Sequence, residues 1–369
     1  MFNLRSHRLA LKFFHLKPGL WFAPFAPLFA SAVLLRRWGY NCGLLSATKL
    51  PVLTIAIGGL EAGGSGKTPV TALLLEALLA TGRHPGLLTR GYKRPQSDLQ
   101  VHRRGTVTSP ELIGDEAAML VASGLNIDIA ACPSRRKGAQ ALLNIGVDCL
   151  VLDDGFQHRA LARDLDIVVL RGEQPFGNGH LLPWGTLREP VSSLNRAQII
   201  WLHYRDATQL ESIFNIKSNY FINKPKWLHT YAKTADLVIS LAVPAICKDI
   251  SGNEVSLHGK SVIAAAAIAK PKDFFNSLVD IGAHVVKTNV FVDHHRYRID
   301  DVSFLLAQIK NLYAETVVVT PKDAVKLAPI WPADVPLWVL GTQPKIVSGA
   351  DIIAKRLEIP LTKLSNTVL

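Results

Sequence analysis

Gly63-Gly64-Ser65-Gly66-Lys67-Thr68 stands between a short apolar run, Val52 to Ile57, and a helical apolar pattern that extends from Thr68 to Leu79. A glycine-rich turn entering a helix lets backbone N–H groups close on phosphate oxygens, and the positive end of the helix dipole adds to the attraction. Lys67 then reaches the β and γ phosphates of ATP, and the Thr68 hydroxyl is suited to ligate Mg2+. A glycine turn that merely caps a helix does not call for the Gly-Lys-Thr order. The strict phosphate-loop spacing wants a glycine five residues before Gly66, where this chain has Glu61. An acid there suits a triphosphate only if its side chain turns away. Pro69 is tolerated early in the helix because its missing N–H would have no intrahelical partner.

Cys149-Leu150-Val151-Leu152 runs into Asp153-Asp154-Gly155, an apolar strand ending in paired acids. At the carboxyl edge of a parallel sheet such acids hold Mg2+ directly or through water, whereas an isolated Asp-Gly reads equally as a solvated turn; the preceding phosphate loop favours the metal. Asp115 and Glu116 form a second acidic pair ahead of a helical pattern, where acids serve either chemistry or as helix caps. Asp293-His294-His295 ends a β-like run, and a metal site, a general-base pair and a polar strand end are all compatible with it.

These groups need a scaffold that brings them to one edge. Apolar runs at Pro85 to Thr89, Ile127 to Ala130, Ile167 to Leu170 and Ile199 to Leu202, separated by helical stretches, predict an α/β fold with a P-loop NTPase-like parallel sheet covered on both faces. The pattern weakens from about Asp206 to Ala245. Two short extended pieces around Ser251-Gly252-Asn253 then read as a β-hairpin linker. Strands over Ser261 to Ala269, His284 to Val292, Thr316 to Thr320 and Leu337 to Leu340, with helices near Lys272 to Leu278 and Val302 to Leu312, predict a second, smaller α/β domain. The expected boundaries are 1–45 for an N-terminal arm, 46–240 for the phosphate-loop domain, 241–258 for the linker and 259–369 for the smaller domain. A length of 369 residues agrees with more than one core.

The net charge of +12 is compatible with nucleic acid, an anionic membrane or a phosphorylated substrate. Seven basic residues, Arg5, Arg8, Lys12, Lys17, Arg36, Arg37 and Lys49, precede the first acid, Glu61. Between them, Pro18 to Leu35 carries no charge but holds Trp21, Phe22, Phe25 and Phe29, a composition that seeks lipid rather than nucleic acid. Pro24 and Pro27 interrupt a run already marginal for spanning, so the arm is expected to be helical and to lie in the membrane interface. Cys42, Cys132, Cys149 and Cys247 lack CxxC spacing and imply reduced thiols rather than a disulfide framework or zinc.

Together the segments GGSGKTP (63–69), TRGY (89–92), GDE (114–116), VLDDGFQH (151–158), LLPWGTLREP (181–190), DHH (293–295) and KDAVKL (322–327) resemble the tetraacyldisaccharide 4′-kinase family in order and span. The resemblance implies a magnesium- and ATP-dependent kinase of lipid A biosynthesis at the cytoplasmic face of the bacterial inner membrane. Its substrate would be an acylated disaccharide lipid, and no obligate protein partner is implied. By motif, Gly63, Gly64, Ser65, Gly66, Lys67 and Thr68 bind the nucleotide, and Thr68, Asp153, Asp154 and Glu189 organise the metal. Asp115 would be the base, assisted by His294, and Arg188 would contact phosphate, with Arg90, Tyr92, Glu116, Arg135 and Gln157 as further site positions. The chain departs from the family at Glu61, and at Trp184 and Thr186, where Ala and Pro are more usual. A competing reading, a membrane-associated ATPase switch of the partitioning or targeting type, wants a lysine at the position of Ala62.

Overall fold

Strands of a parallel sheet buried on both faces must be apolar at nearly every position, and the central strands here meet that demand. In this computed structural model, which describes residues 20–364 except 92, 93, 96, 107, 217, 219, 223, 224 and 294, the strands of the two larger sheets run as follows. They are β1 (Leu53–Gly58), β2 (Pro85–Thr89), β3 (Gln100–His102), β4 (Asp128–Ala131), β5 (Cys149–Asp153), β6 (Leu165–Arg171), β7 (Ile199–Tyr204) and β8 (Asp236–Pro244). Next come β9 (Lys248–Asp249), β10 (Ser261–Ala266), β11 (His284–Val290), β12 (Thr316–Val319), β13 (Leu337–Val339) and β14 (Thr342–Ser348).

The large sheet has the order β14-β8-β7-β6-β1-β5-β2-β4-β3. It is parallel except at its margins, where β14 runs against β8 and β3 against β4. The second sheet has the order β9-β13-β12-β10-β11, with only β9 antiparallel. Successive residues of a strand point to opposite faces. Ile55, Ile57 and Val151 therefore pack with Leu74 and Leu78 of α2 (Lys67–Leu79), while Ala56, Leu150 and Leu152 pack with Ala139 and Leu142 of α4 (Arg135–Leu143). The apolar-all-round α2 is sandwiched by design of its sequence, since a helix of that composition must be buried. The remaining helices that matter here are α1 (Ala26–Asn41), α3 (Asp115–Ala122), α5 (Pro271–Asp280), α6 (Ile299–Leu312), α7 (Pro321–Leu327) and α8 (Ala350–Leu357).

The expected smaller unit, 259–369, is corrected at its C-terminal end. β14 pairs with β8 in the large sheet, and Ile346, Ile353, Leu357, Ile359 and Leu364 share one cluster with Ile55 and Leu74. The chain thus returns to the phosphate-loop lobe, because the apolar side of α2 needs a cover that the first 240 residues do not supply. The expected linker, 241–258, is corrected too. β8 continues to Pro244 inside the large sheet, and the turn in which Asp249 accepts from the Ser251 and Asn253 amides belongs to the edge of the second sheet. Two chain segments join the lobes, and they touch where the Ala245 amide donates to the Gly341 carbonyl at 3.0 Å.

Of the arm expected over 1–45, residues 20–45 are described. Leu20–Phe25 is a 3-10 turn containing Pro24, and α1 follows. Among the described residues no helix is long and apolar enough to cross a membrane.

The return of the C-terminus carries a test. Leu357→Ala empties a fully buried position against the phosphate-loop lobe, and should cost about 2–5 kcal/mol in urea unfolding. An unchanged midpoint would contradict this packing.

Candidate active site

β1 and β5 are neighbours, with Ile57 in register with Asp153, so the phosphate loop and the acid pair leave the sheet at the same carboxyl edge. A Cβ at Gly58 would lie 2.5 Å from the Phe156 Cβ, and glycine there lets the 153–156 turn close onto the start of the loop. Gly66 is required on two counts. Its φ is +87°, and a Cβ would come within 2.2 Å of the His203 ring. His203 Nδ1 lies 2.9 Å from Ser240 Oγ, which accepts from Trp201 Nε1 at 2.7 Å. Burial, helped by the Arg205 charge, pushes the imidazole down to about 4, so a neutral ring walls the loop at physiological pH.

Lys67 Nζ lies 3.7 Å from Asp154 Oδ1 and donates to the Gly63 carbonyl at 3.4 Å. Arg188 Nη1 donates to Asp154 Oδ2. Burial alone would raise the Asp154 carboxyl, but Lys67 and Arg188 outweigh it and hold it below the usual carboxylate range. Asp153 goes the other way, raised first by burial and then by the charges of Glu116 and Asp154. Asp154 also sits at φ +49°, a left-handed conformation that a non-glycine residue adopts at a cost of about 1 kcal/mol. Arg135 is buried with Nη1 on the Cys132 carbonyl at 3.0 Å and Nη2 on the Asp153 carbonyl at 3.3 Å. Burial takes it down to about 10, and the Arg90 charge acts in the same direction; Arg135 is still a cation at neutral pH. Gln157 Nε2 donates to the Gly59 carbonyl at 3.0 Å, tying this edge to the loop.

A bound Mg2+ fits this donor set. Asp153 Oδ1, Asp154 Oδ1 and Ser65 Oγ are buried with no hydrogen-bond partner, whereas buried polar atoms are nearly always satisfied. Magnesium takes one or two carboxylates together with phosphate oxygens and water. In keeping with that habit, the described residues contain no group of three or more His, Cys, Asp or Glu placed to hold a metal. Thr68 lies in the first turn of α2.

Other expected residues fall elsewhere. Glu189, expected among the metal ligands, has both oxygens on Arg196, at 2.7 and 3.3 Å. The Glu116 charge is felt by Asp153, which brings the start of α3 to the end of β5. Asp115, beside it, has its Oδ2 2.6 Å from Lys326 Nζ of the second lobe. Tyr92 and His294 lie outside the described residues.

Glu61 does turn away from the phosphates. Arg171 Nε and Nη2 reach its two oxygens at 3.2 Å each, and Thr186 Oγ1 donates to Oε1 at 2.8 Å. Two departures from the family pattern, Glu61 and Thr186, are therefore one feature, a buried bond joining the phosphate loop to the 181–190 segment.

Sequence reasoning missed Arg171, Arg196, Arg205 and Lys326. Arg205 Nη2 donates to the Gly64 carbonyl at 2.9 Å, and Nη1 lies 3.2 Å from Asp273 Oδ2 on α5. Arg171 ends β6 and Arg205 follows β7, so the rule that ligands gather at carboxyl ends of parallel strands would have singled out both.

Residues 19–358 match the family model described as tetraacyldisaccharide-1-P 4′-kinase. The chain is 35% identical over 342 residues to tetraacyldisaccharide 4′-kinase of Anaeromyxobacter sp. (strain Fw109-5), covering 91% of this chain and 90% of that one. It is 36% identical over 339 residues to the enzyme of the same name from Azoarcus sp. (strain BH72), covering 91% of each. Among solved structures it is similar to LpxK from Aquifex aeolicus in complex with ATP, with a TM-score of 0.71, 26% identity, and coverage of 91% of this chain and 97% of that one.

The Glu61 bond predicts a reversible defect. Arg171→Met should strip a buried carboxylate of its main counter-charge and lower stability by up to about 3 kcal/mol. Adding Glu61→Leu should recover most of the loss in thermal unfolding. Additive losses in the double variant would contradict the pairing.

Proposed function

The chain belongs to the tetraacyldisaccharide 4′-kinase family and phosphorylates the 4′ hydroxyl of tetraacyldisaccharide 1-phosphate to give lipid IVA, and on that premise we propose how its own residues divide the work. A sugar hydroxyl is a weak nucleophile, and phosphoryl transfer depends mainly on positioning and charge neutralisation. Lys67 and Arg188, already gathered at Asp154, meet the negative charge of the transferred group. Asp153, Asp154, Thr68 and Glu189 would hold magnesium, which would supply the charge that neutralises the phosphate oxygens. Asp115 accepts the hydroxyl proton late in the transfer. The observation that carries this reading is the pair of buried β5 carboxylate oxygens that accept no hydrogen bond, with Lys67 paired to one of them.

His294 is assigned to orient Asp115 from the second lobe. On either side of it in sequence, Asp293 Oδ1 lies 3.3 Å from Lys322 Nζ and His295 Nε2 lies 2.9 Å from Asp301 Oδ2 of α6. The two lobes then act as separate domains whose approach completes the site.

The arm supplies the acceptor side. Arg36 Nη2 donates to the Gln157 carbonyl at 3.1 Å, Arg37 Nη1 to Ser192 Oγ at 2.9 Å, and Arg159 Nη2 to Asn41 Oδ1 at 3.0 Å. α1 is thereby bolted to the acid-pair turn, and Phe29, Val33, Arg36 and Arg37 face Arg188 across a cleft. Outward it exposes Phe25, Leu28, Leu34, Leu35 and Trp38. This combination suits an acylated, anionic sugar presented from a membrane surface, with the arm lying in the interface at the cytoplasmic face of the bacterial inner membrane.

Two outcomes test these assignments. Purified protein should move labelled γ-phosphate from ATP to the disaccharide lipid in detergent, and Asp115→Asn should lower kcat about 100- to 10,000-fold with little change in KM for ATP; a loss confined to ATP binding would remove Asp115 from the role of base. Leu28→Asp with Leu35→Asp should weaken sedimentation with phosphatidylglycerol vesicles at least about tenfold, and unchanged sedimentation would refute the membrane-facing arm.

A further inference from the structure

The KDAVKL segment forms α7, and each of its charged residues holds a different part of the molecule. Thr320 caps the helix. Asp323 is fully buried, and its carboxylate accepts from Thr320 Oγ1 at 2.6 Å, Tyr297 OH at 3.1 Å and the Ala267 amide at 3.2 Å. One turn position is thus locked both to the end of β10 and to Tyr297. Lys322 reaches Asp293. Lys326, four residues on and so on the same helical face as Lys322, instead crosses to the other lobe and ends on Asp115. The Lys326 and Asp115 side chains are 11% and 18% exposed, well short of the solvation that makes surface pairs weak.

We propose that Lys326 is a positioning residue for phosphoryl transfer: from the second lobe it fixes the Asp115 carboxylate at the transfer site, while Lys322 and Asp323 hold the same helix to Asp293 and Tyr297. This rests on Asp115 as the base. A carboxylate that must accept a proton from a bound hydroxyl needs a defined direction as well as a charge. A 2.6 Å contact from a lysine whose helix is anchored by a buried acid supplies both. The arrangement also explains why the base and its holder sit on different lobes, since the full positioning set exists only when the lobes are together.

The test uses the full chain with ATP and the disaccharide lipid in detergent. Lys326→Met should lower kcat roughly 100-fold while KM for ATP and thermal stabilisation by ATP stay near wild type. Lys326→Arg should restore most of the rate, and Lys326→Met should add no further loss in an Asp115→Asn background. If the Met variant fails to bind ATP, Lys326→Gln must show the same kcat loss. A kcat within about threefold of wild type for the uncharged variants, or a further loss in the Asp115→Asn background, overturns the proposal. An inactive Asp115→Asn enzyme beside an active Lys326→Met enzyme defeats this inference alone, whereas an active Asp115→Asn enzyme defeats the base assignment and this inference with it.

Discussion

Two adjacent carboxylates at the end of β5 cannot both be ionised in a dry pocket without cations around them. Placing Asp153 and Asp154 there raises one and would raise the other, were it not for Lys67 and Arg188. Nearly every feature of the site answers that constraint. The phosphate loop delivers Lys67 from the neighbouring strand, the 181–190 segment delivers Arg188, and α4 delivers Arg135 to the Asp153 carbonyl. The two acids are left electrically distinct, each with one oxygen that accepts no hydrogen bond. A site poised in this way binds a divalent cation and a polyanion together more readily than either alone.

The same logic of paired charge accounts for the loop that departs from the strict pattern. Glu61 would repel a triphosphate if it faced inward, yet it is consumed by Arg171 and Thr186 on the far side of the strand end. The Glu189–Arg196 pair and the Arg205 bridge from Gly64 to Asp273 repeat the device. Acids around the loop are paired locally, so that the field at its mouth is set by Lys67, Arg188 and the β5 acids.

Much of this was legible in the sequence because local order carries it. Six strand positions of the large sheet follow from uninterrupted apolar runs, and the phosphate loop and acid pair follow from glycine and charge at strand ends. What escaped was long-range. β14 begins with polar residues and contains Pro344, features of an edge strand, and its partner β8 is identified by pairing rather than by period. The cover of α2 by Ile353 and Leu357 depends on a chain return that no local signal announces. Lys326 stood in the KDAVKL segment with no role attached to it until the lobes placed it on Asp115.

The account is tested most directly by locating the metal. With Mn2+ replacing magnesium and a non-hydrolysable ATP analogue bound, anomalous scattering should place the ion about 2.0–2.2 Å from an oxygen of Asp153 or Asp154, with phosphate oxygens in its shell. An ion that touches neither β5 acid would contradict this assignment.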